Sequence, residues 1–153
     1  MKYSLTNNTK QFLGKTLFQI KAEMSFGNVV KGELGGYIEK EENLSQVYGN
    51  AWVYGDAQVY GDAQVSCNAL VYGNARVYGN AQVYGNARVY GNARVYGDAQ
   101  VSGDARVYGD AQVSAKASFT KGWFIGGDDT GKIKDITSET GSTYWKNQYV
   151  LGD

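Results

Sequence analysis

Residues 71–93 read VYGNARVYGNAQVYGNARVYGNA, one six-residue sentence spoken almost four times over. Working outward in both directions, the unit V-Y/S-G-N/D-A-x runs without a gap over residues 47–118, with Val47, Val53, Val59, Val65, Val71, Val77, Val83, Val89, Val95, Val101, Val107 and Val113 at its first position. A period of six fits neither an α-helix nor a heptad coiled coil. Within each unit, A-R-V-Y alternates with the strand period of two, so alanine and valine share one face while arginine or glutamine and tyrosine share the other. The G-N or G-D pair then supplies a corner, because glycine, asparagine and aspartate tolerate positive φ. A short strand and a sharp corner repeated at fixed period make a coil, so the sequence predicts an all-β parallel β-helix with valine and alanine inside.

The aliphatic first position and small fifth position, repeated every six residues, resemble the hexapeptide repeat of left-handed parallel β-helix proteins. That resemblance implies a left-handed, triangular solenoid with three hexapeptides per coil, hence about four coils. Composition and the limits of the repeat divide the chain into a β-rich N-terminal cap (1–46), the repeat β-helix (47–118) and a C-terminal strand-and-turn segment (119–153), one compact domain overall. Tyrosine at the second position departs from the enzymes of that group, where glycine or a small residue is frequent. The segment GELGGYIEKEENLS at 32–45, followed by V-Y-G-N-A units, is also similar to small proteins encoded by phages and prophages. That second resemblance brings no assigned activity with it.

Three hexapeptides per coil stack residues eighteen apart, at the strand spacing of about 4.8 Å. One expected wall carries Gln46, Gln64, Gln82 and Gln100 beside Tyr48, Ser66, Tyr84 and Ser102. A second carries an unbroken ladder, Tyr54, Tyr72, Tyr90 and Tyr108, beside Trp52, Leu70, Arg88 and Arg106. The third carries Tyr60, Tyr78, Tyr96 and Ser114 beside Gln58, Arg76, Arg94 and Gln112. Tyrosine ladders stabilise sheets by cross-strand pairing, yet exposed tyrosine with arginine is also the composition of binding surfaces. The second wall, with Trp52 and Leu70 expected to extend it into an apolar patch, is therefore the candidate protein interface. The corner residues from Asn50 to Asp110 read as structural, and Cys67 reads as a corner residue standing where the repeat has glycine. The open ends of a solenoid invite polymerisation, so Phe18, Ile20 and Ala22, and the aromatics Trp123, Phe124, Tyr144, Trp145 and Tyr149, are expected to cap it. The phase of the repeat runs on through Phe119 and Ile125.

Composition argues against chemistry. The 153 residues hold 15 Lys plus Arg, 15 Asp plus Glu, one cysteine and no histidine. The acyltransferases and γ-class carbonic anhydrases of the resembling fold use histidine as general base or zinc ligand. Without it, no enzyme activity, metal or cofactor is expected. GGDDTGK at 126–132 mimics a phosphate loop, but Ile133 stands where a hydroxyl should reach Mg²⁺, and Asp128 and Asp129 would repel phosphate. The repeat carries five cations (Arg76, Arg88, Arg94, Arg106, Lys116) against five aspartates, which gives no net basic footprint for nucleic acid. A single cysteine, an N-terminus without an apolar signal core and the absence of an apolar span together point to a reducing cytoplasm, with no membrane partner; the resemblance to phage proteins implies that of a bacterial host cell.

The functional expectation is a non-catalytic protein of phage type that binds and blocks a host protein, such as a CRISPR-type defence nuclease. The alternatives are a structural or assembly β-helix of a virion or polymer, and a degenerate transferase-like fold holding a small ligand. A homodimer through the tyrosine wall is a further option. Nucleases hold nucleic acid in basic grooves, so the acidic groups offer two further candidate patches for a partner: Asp128 and Asp129 on the GGDDTGK turn, and, as the alternative, Glu39, Glu41 and Glu42 before the first coil.

Overall fold

The computed structural model describes residues 1–47 and 49–126, together with the strands Lys132–Ser138 and Gly141–Lys146. Its secondary structure is β throughout apart from one 3-10 turn at Glu41–Asn43. In the repeat, each strand is two residues long and ends on the valine, except Arg106–Gly109, which runs on to the corner glycine. Trp52–Val53, Gln58–Val59 and Gln64–Val65 form one coil, and each pairs in parallel with the strand eighteen residues later, as in Trp52↔Leu70 and Val53↔Val71. Three parallel stacks result, and they make a β-solenoid of about five turns.

The inside is as narrow as the sequence requires. The repeat valines from Val53 to Val113 are at most 1% exposed, and the repeat alanines from Ala51 to Ala117 are fully buried. No side chain larger than valine recurs there because facing walls leave room for little more than one small and one branched residue per corner.

The corners correct one expectation. Positive φ belongs to the glycine alone, with Cys67 (58°) and Ala115 (57°) holding it where the repeat lacks glycine; no asparagine or aspartate among the described residues adopts it. The Ala57 N–H donates to the Tyr54 carbonyl across Gly55 and Asp56, the pattern of a type II′ turn, in which only the first central residue is left-handed. Asparagine and aspartate serve differently. Their backbone N–H reaches the glycine carbonyl of the next coil, as Asn80 reaches Gly97 at 2.8 Å, and their side chains ladder along the edge, as Asn80 Nδ2 reaches Asp98 Oδ1 at 3.3 Å. A Cβ on Gly79 would meet the Gly97 nitrogen at 2.9 Å, so glycine is required there for space as well as for φ.

The N-terminal residues do more than close an end. β1 (Tyr3–Phe12) and β2 (Lys15–Ala22) form an antiparallel hairpin, and β2 pairs antiparallel with β3 (Leu34–Ile38). β3 then joins the third wall in parallel through Tyr37↔Gln58 and Ile38↔Val59, which adds a turn to the four expected. The glycine pair makes this approach feasible: a Cβ on Gly36 would lie 2.6 Å from Val53 Cγ1, and one on Gly35 would lie 2.6 Å from the Val53 carbonyl.

Val47 is not a core residue; it is 64% exposed. Leu44 bridges to Val65 in its place and is fully buried, because the entering chain is three residues out of phase with the repeat. Gln46 accordingly leaves its expected column. Its side-chain oxygen accepts from the Lys2 and Tyr3 amides at 2.9 and 3.1 Å, while its amide nitrogen donates to the Tyr3 carbonyl at 2.9 Å. One glutamine thus imitates a strand edge and ties the N-terminus to the first coil. Tyr48 lies outside the described residues.

At the other end the last coil is one residue short. Val107 pairs with Phe124 rather than Ile125, and Arg106 pairs with Trp123. Phe119 and Phe124, both nearly buried, stack at 3.9 Å and close the core. Lys132–Ser138 and Gly141–Lys146 extend the second wall as antiparallel strands.

Candidate interaction surface

The second wall is built by register. Trp52, Leu70, Arg88, Arg106 and Trp123 occupy successive rungs, and Tyr54, Tyr72, Tyr90 and Tyr108 follow at the corner two residues later. The tyrosines are half-buried. Tyr72–Tyr90 and Tyr90–Tyr108 stack face to face at 4.8 and 4.9 Å with interplanar angles of 2° and 3°, held to the strand repeat. Such pairs contribute about 0.5–1.5 kcal/mol each. Tyr54 breaks the ladder and stands at 89° to Tyr72, with 6.3 Å between centroids. Burial raises the Tyr54 hydroxyl pKa above the usual phenol range; Glu33 adds to the rise and Arg88 opposes it.

Trp52 does not belong to this exposed face. It is fully buried beneath Tyr3 and Phe26, which meet it edge-on at 6.2 and 5.3 Å. The apolar patch expected around it is covered by the chain's own N-terminus. Lys2 completes the cover. Its ammonium donates to the Ala51 carbonyl at 3.0 Å and sits 4.9 Å from the Phe26 ring centroid, and burial pushes its pKa down to about 8.

What remains open is a rigid strip from Tyr54 to Tyr108, with a depression on each side of the central column. A depression of about 430 Å³ lies over Leu70, between Tyr54 and Tyr72 and below Arg88. On the opposite side, a groove of about 460 Å³ runs along the solenoid axis past Asn50, Asn68, Asn86 and Asp104, with Leu70, Arg88 and Arg106 facing it and Trp123 at its end. Arg106 lies over the Trp123 ring at 4.8 Å. Among the described residues, neither Arg88 nor Arg106 has a carboxylate within ion-pair distance.

The sequence placed Leu70, Arg88 and Arg106 on this wall, read the corner column beside them as structural, and missed Trp123 at the groove's end. The asparagine column was legible, since residues 50, 68, 86 and 104 share the period of eighteen and precede the wall residues by two. Trp123 was not legible as part of this wall, because it enters one residue out of phase.

Of the acidic candidates, Glu39, Glu41 and Glu42 fall among the described residues. Glu39 is occupied internally: Oε1 accepts from the Gly61 amide at 2.8 Å and Oε2 pairs with Lys15 at 3.4 Å. Glu41 and Glu42 are exposed on the 3-10 turn, and Asp128 and Asp129 lie outside the described residues. Among the described residues there is no cluster of three His, Cys, Asp or Glu side chains able to hold a metal, and no helix long and apolar enough to cross a membrane.

The repeat is recognisable at family level. The family model of the YdcK β-solenoid repeat matches residues 45–61, 63–79, 69–85, 81–97, 87–100 and 99–115. The chain is a repeat β-solenoid protein. The matched blocks begin seven residues after β3 and stop before Phe119, so they cover the wall and leave out most of the segments that cover its ends. No curated protein sequence matches the chain.

Proposed function

We propose that this β-solenoid is a non-catalytic protein-binding module and that the strip Tyr54, Leu70, Tyr72, Arg88, Tyr90, Arg106 and Tyr108 is its binding face. One observation carries the reading: the aromatic ladder is ordered before any partner arrives. Association normally costs about 0.5–1.5 kcal/mol for each mobile side chain that it immobilises. Tyrosines packed face to face at a 2–3° interplanar angle have fewer rotamers left to lose, and tyrosine and arginine are among the residues that dominate binding hot spots.

The finer reading is a phage- or prophage-encoded protein that acts in the bacterial host cell by blocking a host protein, a CRISPR-type nuclease being one candidate. It rests on the resemblance of GELGGYIEKEENLS and the V-Y-G-N-A units to phage proteins. In that reading the exposed Glu41 and Glu42 are a secondary contact for a basic groove. The assembly alternative is weakened by the N-terminal end, where Tyr3, Ile38 and Leu44 are fully buried instead of being offered to the next subunit.

Replacing Tyr72 and Tyr90 together by serine tests the face, since Ser66, Ser102 and Ser114 already occupy that repeat position. Affinity for a partner captured from host lysate is expected to fall by at least tenfold while the thermal transition stays cooperative. Unchanged affinity would remove the wall from the reading. Asp128→Lys with Asp129→Lys, and Glu41→Lys with Glu42→Lys, test the acidic alternative in the same assay.

A further inference from the structure

The molecule contains its own example of what sits on a tyrosine ladder. On the third wall, the tip of the β1–β2 hairpin lays Phe12 against Tyr60, edge to face, with 5.8 Å between centroids and 62° between planes. Arg76, one rung on, covers the other side of the Phe12 ring at 4.4 Å. Leu17 and Tyr37 pack beside it, and Tyr78 stacks on Tyr60 at 5.0 Å. The socket is thus Gln58, Tyr60, Arg76 and Tyr78. Adding twelve residues to each number gives Leu70, Tyr72, Arg88 and Tyr90 on the second wall. The repeat makes the two backbones equivalent, and the floor changes from glutamine to leucine.

Occupancy separates the two sockets. Tyr60, under the hairpin, is 5% exposed, whereas Tyr72 is half-buried. Arg76 is engaged with Phe12, whereas Arg88 faces the 430 Å³ depression over Leu70. Turning Tyr54 out of the ladder leaves that depression open on the side where a continuous stack would have narrowed it.

From this equivalence we infer that the socket at Leu70, Tyr72 and Arg88 receives an aromatic side chain from an extended segment of a partner protein, with a carboxylate of the same segment directed at Arg106. The inference rests on the protein-binding reading and names the chemistry of the partner. The aromatic preference follows from the contacts of Phe12: it meets Tyr60 in a T-shaped pair, and the Arg76 guanidinium lies over its ring. The acidic preference follows from charge. Arg88 and Arg106 stand on adjacent rungs with no carboxylate paired to either among the described residues. The nearby acidic groups are Glu33, which acts on Tyr54, and Asp104, which lines the groove together with both arginines. A guanidinium–carboxylate bond formed there is strengthened as the partner excludes water.

The test uses the full chain and fluorescein-labelled ten-residue peptides with one central residue and fixed flanks, read by anisotropy. The central residue is Phe, Leu or Ser, and the flanks are Glu or Lys. Binding is expected to be strongest for Phe with Glu flanks, at least tenfold weaker for Ser at the centre, and weaker again for Lys flanks. Arg106→Glu should reduce binding of the Phe–Glu peptide by at least tenfold and reverse the flank preference, and Tyr72→Ser should erase the distinction between Phe and Ser. Both variants are surface changes, and their thermal melts check that the fold is retained. Equal binding of all peptides, or none, would overturn the inference. If none binds while Tyr72→Ser with Tyr90→Ser still releases the partner captured from lysate, the binding face stands and only the aromatic–acidic chemistry falls. If that double variant also leaves capture unchanged, both fall.

Discussion

Val89 has no exposed surface and lies between the valines of the coils before and after it, at Val71 and Val107. An unpaired carboxylate at that point would have neither water nor a cation within reach, a situation that costs about 3–5 kcal/mol or more. Val89→Asp should therefore abolish the cooperative thermal transition, and a soluble variant that melts like the parent would contradict the packing described. Titration provides a second test on single residues. Lys2 ionises near pH 8 in the fold and near 10.5 when solvated. Between those values the unfolded chain holds more protons, so stability should rise with pH. Tyr54, Tyr60, Tyr78 and Tyr108 work in the opposite sense, because burial raises each above the ordinary 10.0. Beyond about pH 10 the unfolded tyrosines lose their protons first, and stability should fall. Urea melts between about pH 7 and 11 should show the maximum, and Lys2→Met should flatten its rising side.

The β1–β2 hairpin is the element whose removal is most informative. Its tip is held on the third wall by Phe12 on Tyr60, by Lys10 over the Tyr37 ring at 4.1 Å, and by the Lys10–Asp56 pair at 3.6 Å. The ion pair is exposed and contributes little, so the aromatic contacts set the strength of docking. Phe12→Ala should cost about 1–3 kcal/mol and raise hydrogen exchange in β1 and β2 while the coils from Leu70 to Val107 keep their protection. Uniform loss of protection would mean that the hairpin and the solenoid unfold as one unit. The tyrosine ladders should behave differently. Tyr72→Ser with Tyr90→Ser removes stacking but leaves the backbone bonds of Tyr72 to Val89 and Tyr90 to Val107 intact. It should lower the melting temperature modestly and act mainly on association.

For the whole molecule, the covered N-terminal end predicts a discrete size in solution. Sedimentation of the full chain should give a monomer or a dimer with no concentration-dependent growth. Deleting residues 1–22 removes Tyr3, Leu17 and Ile20, all fully buried, and strips Trp52 of its Tyr3 contact. That truncation should form open-ended oligomers or precipitate, since it exposes apolar surface and the unpaired edge of β3. A monodisperse truncated chain would show that the coils do not need this cover.

The repeat made the solenoid legible because every unit repeats the same local instruction. Valine and alanine alternate inward, a G-N or G-D pair marks each corner, and identical units eighteen apart must stack. From that alone the walls, the tyrosine columns and the buried faces could be written down with residue numbers. The ends could not, because they obey no period. Leu44 replaces Val47 through a three-residue offset, Gln46 becomes a mimic of backbone, and Phe124 displaces Ile125 through a one-residue deletion. Those offsets are decided by which apolar side chain fills the space left at a coil's edge, a tertiary question with no local signal. The same holds for the candidate site. Sequence placed Tyr72, Arg88 and Arg106 on one face, but the burial of Trp52 under Phe26 and the seating of Phe12 on the neighbouring wall depend on how distant segments fold back, and they decide which part of that face is open.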